Sequence, residues 1–260
     1  MAGSIAISVE GGIARLVLTN PERRNAISST MWRGLIAFAQ DAAHRSDIRV
    51  AVLRGEGDLA FSGGADISDF DTARSDASGA QSYDDLVEQA CSAIENLACP
   101  TIALVKGACV GAGAALAASC DMRIAADDAF FAIPAARLGL GYDPRGMARA
   151  LRVFGSQGAR HLFFTAERLT AARAHAIGAV DVLIPAAEAE ATTERTLQRI
   201  AENAPLTLKA AKLAIRAAET GSQALLGEAR RATGAANASA DYREGRLAFA
   251  EKRAPRFSGS

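Results

Sequence analysis

Apolar residues alternate with polar ones over Ile5–Val9 and again over Ile13–Leu18, the period-two pattern of strands with one buried face. Glu10-Gly11-Gly12 between them is hairpin chemistry, so the chain is expected to open on a paired strand unit. Asn20-Pro21 breaks the pattern. Met31, Leu35, Phe38 and Ala42 then recur at helical spacing behind a cap at Ser28 or Ser29. Val50–Leu53 predicts a short buried strand, and Ala60–Gly79 reads as a long loop rich in Gly, Ser and Asp. A second amphipathic helix sets Leu86, Val87, Ala90, Ile94 and Leu97 on one face and stops at Cys99-Pro100. Ile102–Val105 is a further expected strand. Gly107–Gly113 is a glycine-punctuated turn entering a helix over Ala114–Cys120. Met122–Ala125 and Ala129–Ile133 are expected strands, the second closed by Pro134.

The remainder is mostly helical. Arg145–Phe154, Ser156–Phe164 and Ala171–Ile177 predict three helices, the last capped by Thr170 and stopped by Gly178. Val180–Ile184 is a last short strand before Pro185. From Ala187 onward the pattern is helix after helix, broken at Pro205 and Gly221. The fold class is therefore α/β, with a strand-strand-helix rhythm that returns several times before an all-helical tail. Residues 1–186 are the expected core and 187–260 the helical region.

Composition removes several function classes. With 29 basic and 29 acidic residues the formal charge is zero, which argues against a nucleic-acid binder acting through bulk charge. The longest uncharged run, Gly107–Cys120, has 14 residues, too few for a membrane span. No leader pattern or lipidation signal is visible, so a soluble, cytoplasmic protein without membrane partners is expected. Cys91, Cys99, Cys109 and Cys120 form no CxxC pair, and His44, His161 and His175 are scattered, so no metal site is expected. Gly111-Ala112-Gly113 opens a helix as a dinucleotide fingerprint would, but Leu116 stands where its third small residue belongs. A nicotinamide cofactor is not expected.

Two segments carry candidate chemistry: Phe61-Ser62-Gly63-Gly64-Ala65-Asp66-Ile67 and Lys106-Gly107-Ala108-Cys109-Val110-Gly111-Ala112-Gly113. Glycines let a backbone approach a ligand closely, and the first N–H groups of a helix have no internal acceptor. Together the two segments could cradle an oxyanion, or each could simply turn the chain.

In order and spacing these segments, with Asn20–Ala26, Cys120-Asp121, Gly178–Asp181, Asp241–Gly245 and Phe249–Arg253, resemble the crotonase (enoyl-CoA hydratase/isomerase) family along nearly the whole chain. The resemblance implies a spiral of strand-strand-helix turns with a C-terminal helical trimerisation region, as a homotrimer or a hexamer of paired trimers. It implies an acyl-CoA substrate, coenzyme A entering as part of it, whose thioester oxygen lies between the N–H groups of Ala65 and Ala112. Substrate contacts carried over by position are Ala26, Gly63, Asp66, Ile67, Gly111 and Pro134. Arg24 and, from a neighbouring subunit, Lys252 match phosphate contacts, and Phe249 matches a residue near the adenine; surface charge and helix packing explain these three equally well.

The chain departs from the family where the hydratase glutamates belong. Those positions are Ala115 and Ala135, which can neither take a proton nor hold a water. The nearest replacement is Asp143, matching a catalytic aspartate of family dienoyl-CoA isomerases, although Asp143-Pro144 is equally a turn and helix cap. Tyr142 resembles a pocket tyrosine of family decarboxylases. One carboxylate suffices to move a proton between carbons, whereas hydration ordinarily uses two groups. Double-bond isomerisation leads; atypical hydration, decarboxylation of a malonyl-type thioester and non-catalytic acyl-CoA binding remain open.

Overall fold

The computed structural model describes residues 3–69 and 77–260. The chain opens on the expected antiparallel pair, β1 (Ser4–Glu10) and β2 (Ile13–Thr19), turning at Gly11 and Gly12, both with positive φ. Helix α1 (Ser29–Ala42) starts where Ser28 Oγ accepts from the Met31 N–H, and it buries Met31, Trp32, Leu35 and Phe38. The chain then winds through three strand-strand-helix turns. These are β3 (Val50–Gly55), β4 (Ala60–Ser62) and α2 (Ala77–Glu95), then β5 (Thr101–Val105), β6 (Ala108–Val110) and α3 (Ala112–Ala118), and finally β7 (Met122–Ala126), β8 (Phe130–Ala132) and α4 (Pro144–Arg160). Strand β9 (Leu169–Thr170), α5 (Ala171–Ala176) and β10 (Val182–Ile184) close the core.

Each turn adds one strand to each of two sheets. The six-stranded sheet runs β1-β2-β3-β5-β7-β10 and the four-stranded sheet β4-β6-β8-β9, so successive turns sit side by side in both. From β2 to β10 the larger sheet is parallel. Parallel sheets are covered on both faces, which explains why β5 is buried at every position. Leu53, Ala103, Val105 and Ala125 face the main core, while Val50, Val52, Ile102, Leu104 and Ile124 form a second cluster on the opposite face. Ala189, Leu197 and Ala201 of α6 (Ala189–Ala201) cover that second face. The helical region beyond residue 187 thus begins by completing the core. Helices α7 (Pro205–Thr220), α8 (Gln223–Ala238) and α9 (Ala240–Glu251) follow.

Several sequence expectations need correction. The loop expected over Ala60–Gly79 starts with β4 and ends inside α2, and its residues 70–76 lie outside the described residues. The turn expected over Gly107–Gly113 contains β6. Strands of three residues inside glycine-rich segments carry no usable alternation, so β4 and β6 escape a periodicity reading, whereas β8 falls inside the strand expected over Ala129–Ile133. Helix α3 starts at Ala112, two residues early. The helices expected on either side of Gly155 form one element kinked at that residue (φ 63°), followed by a π-helical turn at His161–Thr165 rather than a continued α-helix.

Candidate active site

The first glycine segment is pinned on both sides of Ala65. The Gly63 N–H donates to Arg24 O (2.6 Å) and the Gly64 N–H to Ser62 Oγ (3.2 Å). Gly64 O accepts from Ile27 N (2.8 Å), and the Asp66 N–H donates to Ile27 O (3.0 Å). Gly64 takes φ 115°, which a side chain would strain. Among the described residues the Ala65 N–H, in the middle of this ladder, has no protein acceptor.

The second segment meets the first at close range. The Gly111 N–H donates to Ala132 O (2.8 Å), and its φ of 51° swings the chain into α3. A Cβ on Gly113 would lie 2.7 Å from Ser62 Cβ, so only glycine permits this approach. Ala112 is the first residue of α3, where the N–H has no intrahelical acceptor. Ala65 and Ala112 are half-buried, and both border a cavity of about 270 Å³.

The rest of the cavity wall comes from α2, the turn at Ile133–Ala135 and the loop at residues 138–143. Val87, Cys91, Ala115, Ala135 and Leu140 make it largely apolar. Ala115 and Ala135, the positions of the two missing glutamates, both face it. Burial pushes the Cys91 thiol up to about 11, so it is held as an uncharged packing group. Burial likewise raises Tyr142, whose ring stands edge-on to Phe163 at 4.7 Å between centroids. Tyr142 also packs where a side chain on Gly146 would stand, closing the cavity against α4.

Asp143 borders the cavity, but its carboxylate is committed to its own helix. Oδ1 accepts from the Arg145 N–H at 2.8 Å, and the Arg145 guanidinium reaches both oxygens at 2.5–3.0 Å. That hydrogen bonding holds Asp143 below the usual carboxylate range. Arg145 in turn bonds Asp85 of α2 at 2.7 Å.

A carboxylate not singled out by the sequence reading also borders the cavity. Glu88 of α2 accepts from Arg149 (Nη1 to Oε2, 3.2 Å; Nη2 to Oε1, 3.0 Å) and from Ser92 Oγ (2.9 Å). Its sequence signal is the pair Glu88 and Glu95, two turns apart beside the apolar stripe of α2, facing Arg149 and Arg152 on α4.

Of the other expected contacts, Gly63, Ile67, Gly111, Pro134 and Tyr142 border the cavity. Asp66 does not: it is buried and bonds Arg23 (2.6 Å) and Ser68, and these bonds outweigh burial to keep it ionised. Ala26 is buried beneath the first segment, its carbonyl accepting from Asn20 Nδ2. Arg24 holds that segment through its carbonyl and takes φ 52°. Phe249, 86% exposed, and Lys252, the left-handed cap of α9, lie on the tail outside the cavity wall of this chain. Among the described residues no three His, Cys, Asp or Glu side chains gather as a metal centre would need.

Comparison with known proteins accords with this geometry. The enoyl-CoA hydratase/isomerase family model matches residues 8–260. The chain is 32% identical to the 2,3-dehydroadipyl-CoA hydratase of Escherichia coli, covering 98% of each chain. It is 32% identical to an enoyl-CoA isomerase/hydratase of Mycosarcoma maydis over 95% of this chain and 93% of that one. A crystal structure of an enoyl-CoA hydratase/carnithine racemase from Magnetospirillum magneticum superposes with a TM-score of 0.91 at 33% identity, covering 98% of this chain and 96% of that one. With its spiral of strand-strand-helix turns and its paired glycine segments, the chain belongs to the enoyl-CoA hydratase/isomerase family, the crotonases.

Proposed function

We propose that the protein binds an acyl-CoA thioester with its carbonyl oxygen between the Ala65 and Ala112 N–H groups, and that it shifts a carbon–carbon double bond through the enolate they stabilise. The observation that carries this reading is the pair of N–H groups that, among the described residues, have no acceptor and border one cavity. Donors fixed before reaction stabilise developing charge without reorganising, and each is worth about 10²–10³ in rate. Coenzyme A is part of the substrate, and the chemistry needs no other cofactor. The exposed Phe249 and Lys252 reach a substrate from a neighbouring subunit if the tail assembles trimers or hexamers.

Isomerisation is preferred to hydration because of what borders the cavity. Hydration activates a water on one side of the double bond and protonates the other, ordinarily with two groups. Ala115 and Ala135 contribute methyl groups where those acids would stand, and the Asp143 carboxylate is engaged in an ion pair with Arg145. A double-bond shift returns to one carbon the proton taken from another, so one carboxylate serves both halves.

The test is a thioester panel: a β,γ-enoyl-CoA, an α,β-enoyl-CoA and a malonyl-type thioester, each followed by chromatography. Conversion of the β,γ-isomer into the α,β-isomer without hydrated product is expected. Hydrated product as the main outcome, or carbon dioxide from the malonyl thioester alone, would replace isomerisation by that reaction. Calorimetry without binding of any thioester would remove the acyl-CoA reading altogether.

A further inference from the structure

Among the described residues three carboxylates border the cavity, and they are not equivalent. Asp143 is chelated by Arg145. Asp84 also borders a separate surface depression shared with Gln81 and Arg145, which places it at the rim. Glu88 stands one helical turn further along α2, between Val87 and the wholly buried Cys91, and its side chain is 19% exposed.

The bonding of Glu88 leaves one oxygen with room. Oε1 accepts from both Ser92 and Arg149, whereas among the described residues Oε2 accepts one bond only, the 3.2 Å contact from Arg149 Nη1. Ser92 and Arg149 thus fix the carboxylate plane while Oε2 stays the less committed atom.

The surrounding charges tolerate a neutral Glu88. Arg149 is 5% exposed and would be costly to leave unpaired, yet its Nη2 also meets Glu95 Oε2 at 2.9 Å. Arg152 bonds Glu95 and stands 3.6 Å from Glu219. Two arginines therefore meet three carboxylates, Glu88, Glu95 and Glu219, and protonating Glu88 strands no cation. Only Glu88 of the three borders the cavity. Neutralising Asp143 would instead weaken four hydrogen bonds, one of them the cap of α4.

Resting on the isomerase reading above, we propose that Glu88 is its catalytic acid–base residue. Oε2 takes the α proton of a bound β,γ-enoyl thioester; the Cα–H bond breaks and its electron pair passes to the thioester oxygen, giving a dienolate held by Ala65 and Ala112. The carboxylic acid then returns that proton to Cγ. The Cγ–H bond forms from the β,γ π pair, the carbonyl re-forms, the double bond stands between Cα and Cβ, and Glu88 is a carboxylate again. Nothing is gained or lost.

The experiment compares Glu88→Gln with Glu95→Gln in the full chain, using deuterium exchange at the α carbon of a β,γ-enoyl-CoA, calorimetry with the same thioester, and thermal melting. The amide oxygen introduced by E88Q still accepts from Arg149, so this variant is expected to fold and to bind within a few-fold of wild type. It is expected to lose exchange by about 10²–10⁴-fold, the usual worth of general acid–base catalysis. E95Q cuts the same helix-to-helix network away from the cavity; it is expected to lower the melting temperature and keep exchange. Wild-type exchange in E88Q overturns the proposal, as does an equal loss in both variants, which would make the network structural. Wild-type protein that binds the thioester but exchanges nothing overturns Glu88 while leaving a binding protein. Failure of the wild type to bind overturns the acyl-CoA reading itself.

Discussion

The cavity has two walls made in different ways. The donor wall, from Ser62–Ala65 and Gly111–Gly113, presents backbone; its geometry is fixed by ladder hydrogen bonds and by glycines that bring main chains into contact. The acid wall, from α2 and the loop ahead of α4, presents side chains, and their roles are set by which arginine each carboxylate meets. A backbone wall keeps its geometry as long as its glycines stay, whatever side chains stand opposite. A side-chain wall changes chemistry with a few substitutions, and here Ala115 and Ala135 put methyl groups on the cavity while Glu88 and Asp143 put carboxylates there.

The sharpest way to break the contrast is to delete a donor while keeping the fold. Ala112→Pro removes the N–H, and proline is well tolerated at the first position of a helix. A loss of about 10²–10³ in turnover is expected, with thioester affinity largely kept. Circular dichroism and light scattering establish that the variant is folded and assembled like wild type. Unchanged turnover would move the oxyanion site away from this wall.

Gly113→Ala tests the close approach rather than the donor. Alanine is a better helix former than glycine, by up to about 1 kcal/mol in a helix interior and less at the second helical position that Gly113 holds. Here the new methyl meets Ser62 Cβ at 2.7 Å, and overpacking of this kind costs about 1–3 kcal/mol. A lower melting temperature and a loss of up to about 10² in rate are expected, because small misplacements of a reacting group are costly. A more stable, fully active variant would show that the segments need no glycine to converge.

The meeting of the two glycine segments at one cavity was legible in the sequence because glycine spacing and chain direction are both local. The missing acids at Ala115 and Ala135 were legible for the same reason. Glu88 was not: its partner Arg149 lies 61 residues away, and periodicity places both merely beside buried stripes. Half of the second sheet was hidden because β4 and β6 are three residues each inside glycine-rich segments, while β8, equally short, sits in the apolar run Ala129–Ile133 that the pattern does mark. Asp143 was legible as a cap or as a catalyst; the structure adds its cap bond to the Arg145 N–H and the Arg145 guanidinium on both of its oxygens.

Asp143→Asn therefore gives the smallest expected effect and the finest division between the two acid-wall carboxylates. Arg145 hydrogen bonding depresses the Asp143 pKa in the folded chain, so its contribution to stability is present above the unfolded carboxylate pKa and fades as pH falls through the depressed value. Asparagine keeps the cap to the Arg145 N–H but loses the ion pair, whose arginine is 45% exposed and solvent-screened. At neutral pH the variant should be less stable by about 0–1 kcal/mol, the range for such pairs. The gap should close in acid, where the wild-type carboxylate is itself neutral; melting curves collected from neutral to acidic pH read this directly. If Glu88 moves the proton, α-carbon exchange in D143N stays within a few-fold of wild type, reflecting only a small shift of the loop carrying Tyr142. An exchange loss matching E88Q would return the acid–base role to Asp143, and would mean that Arg145 leaves it when a thioester binds.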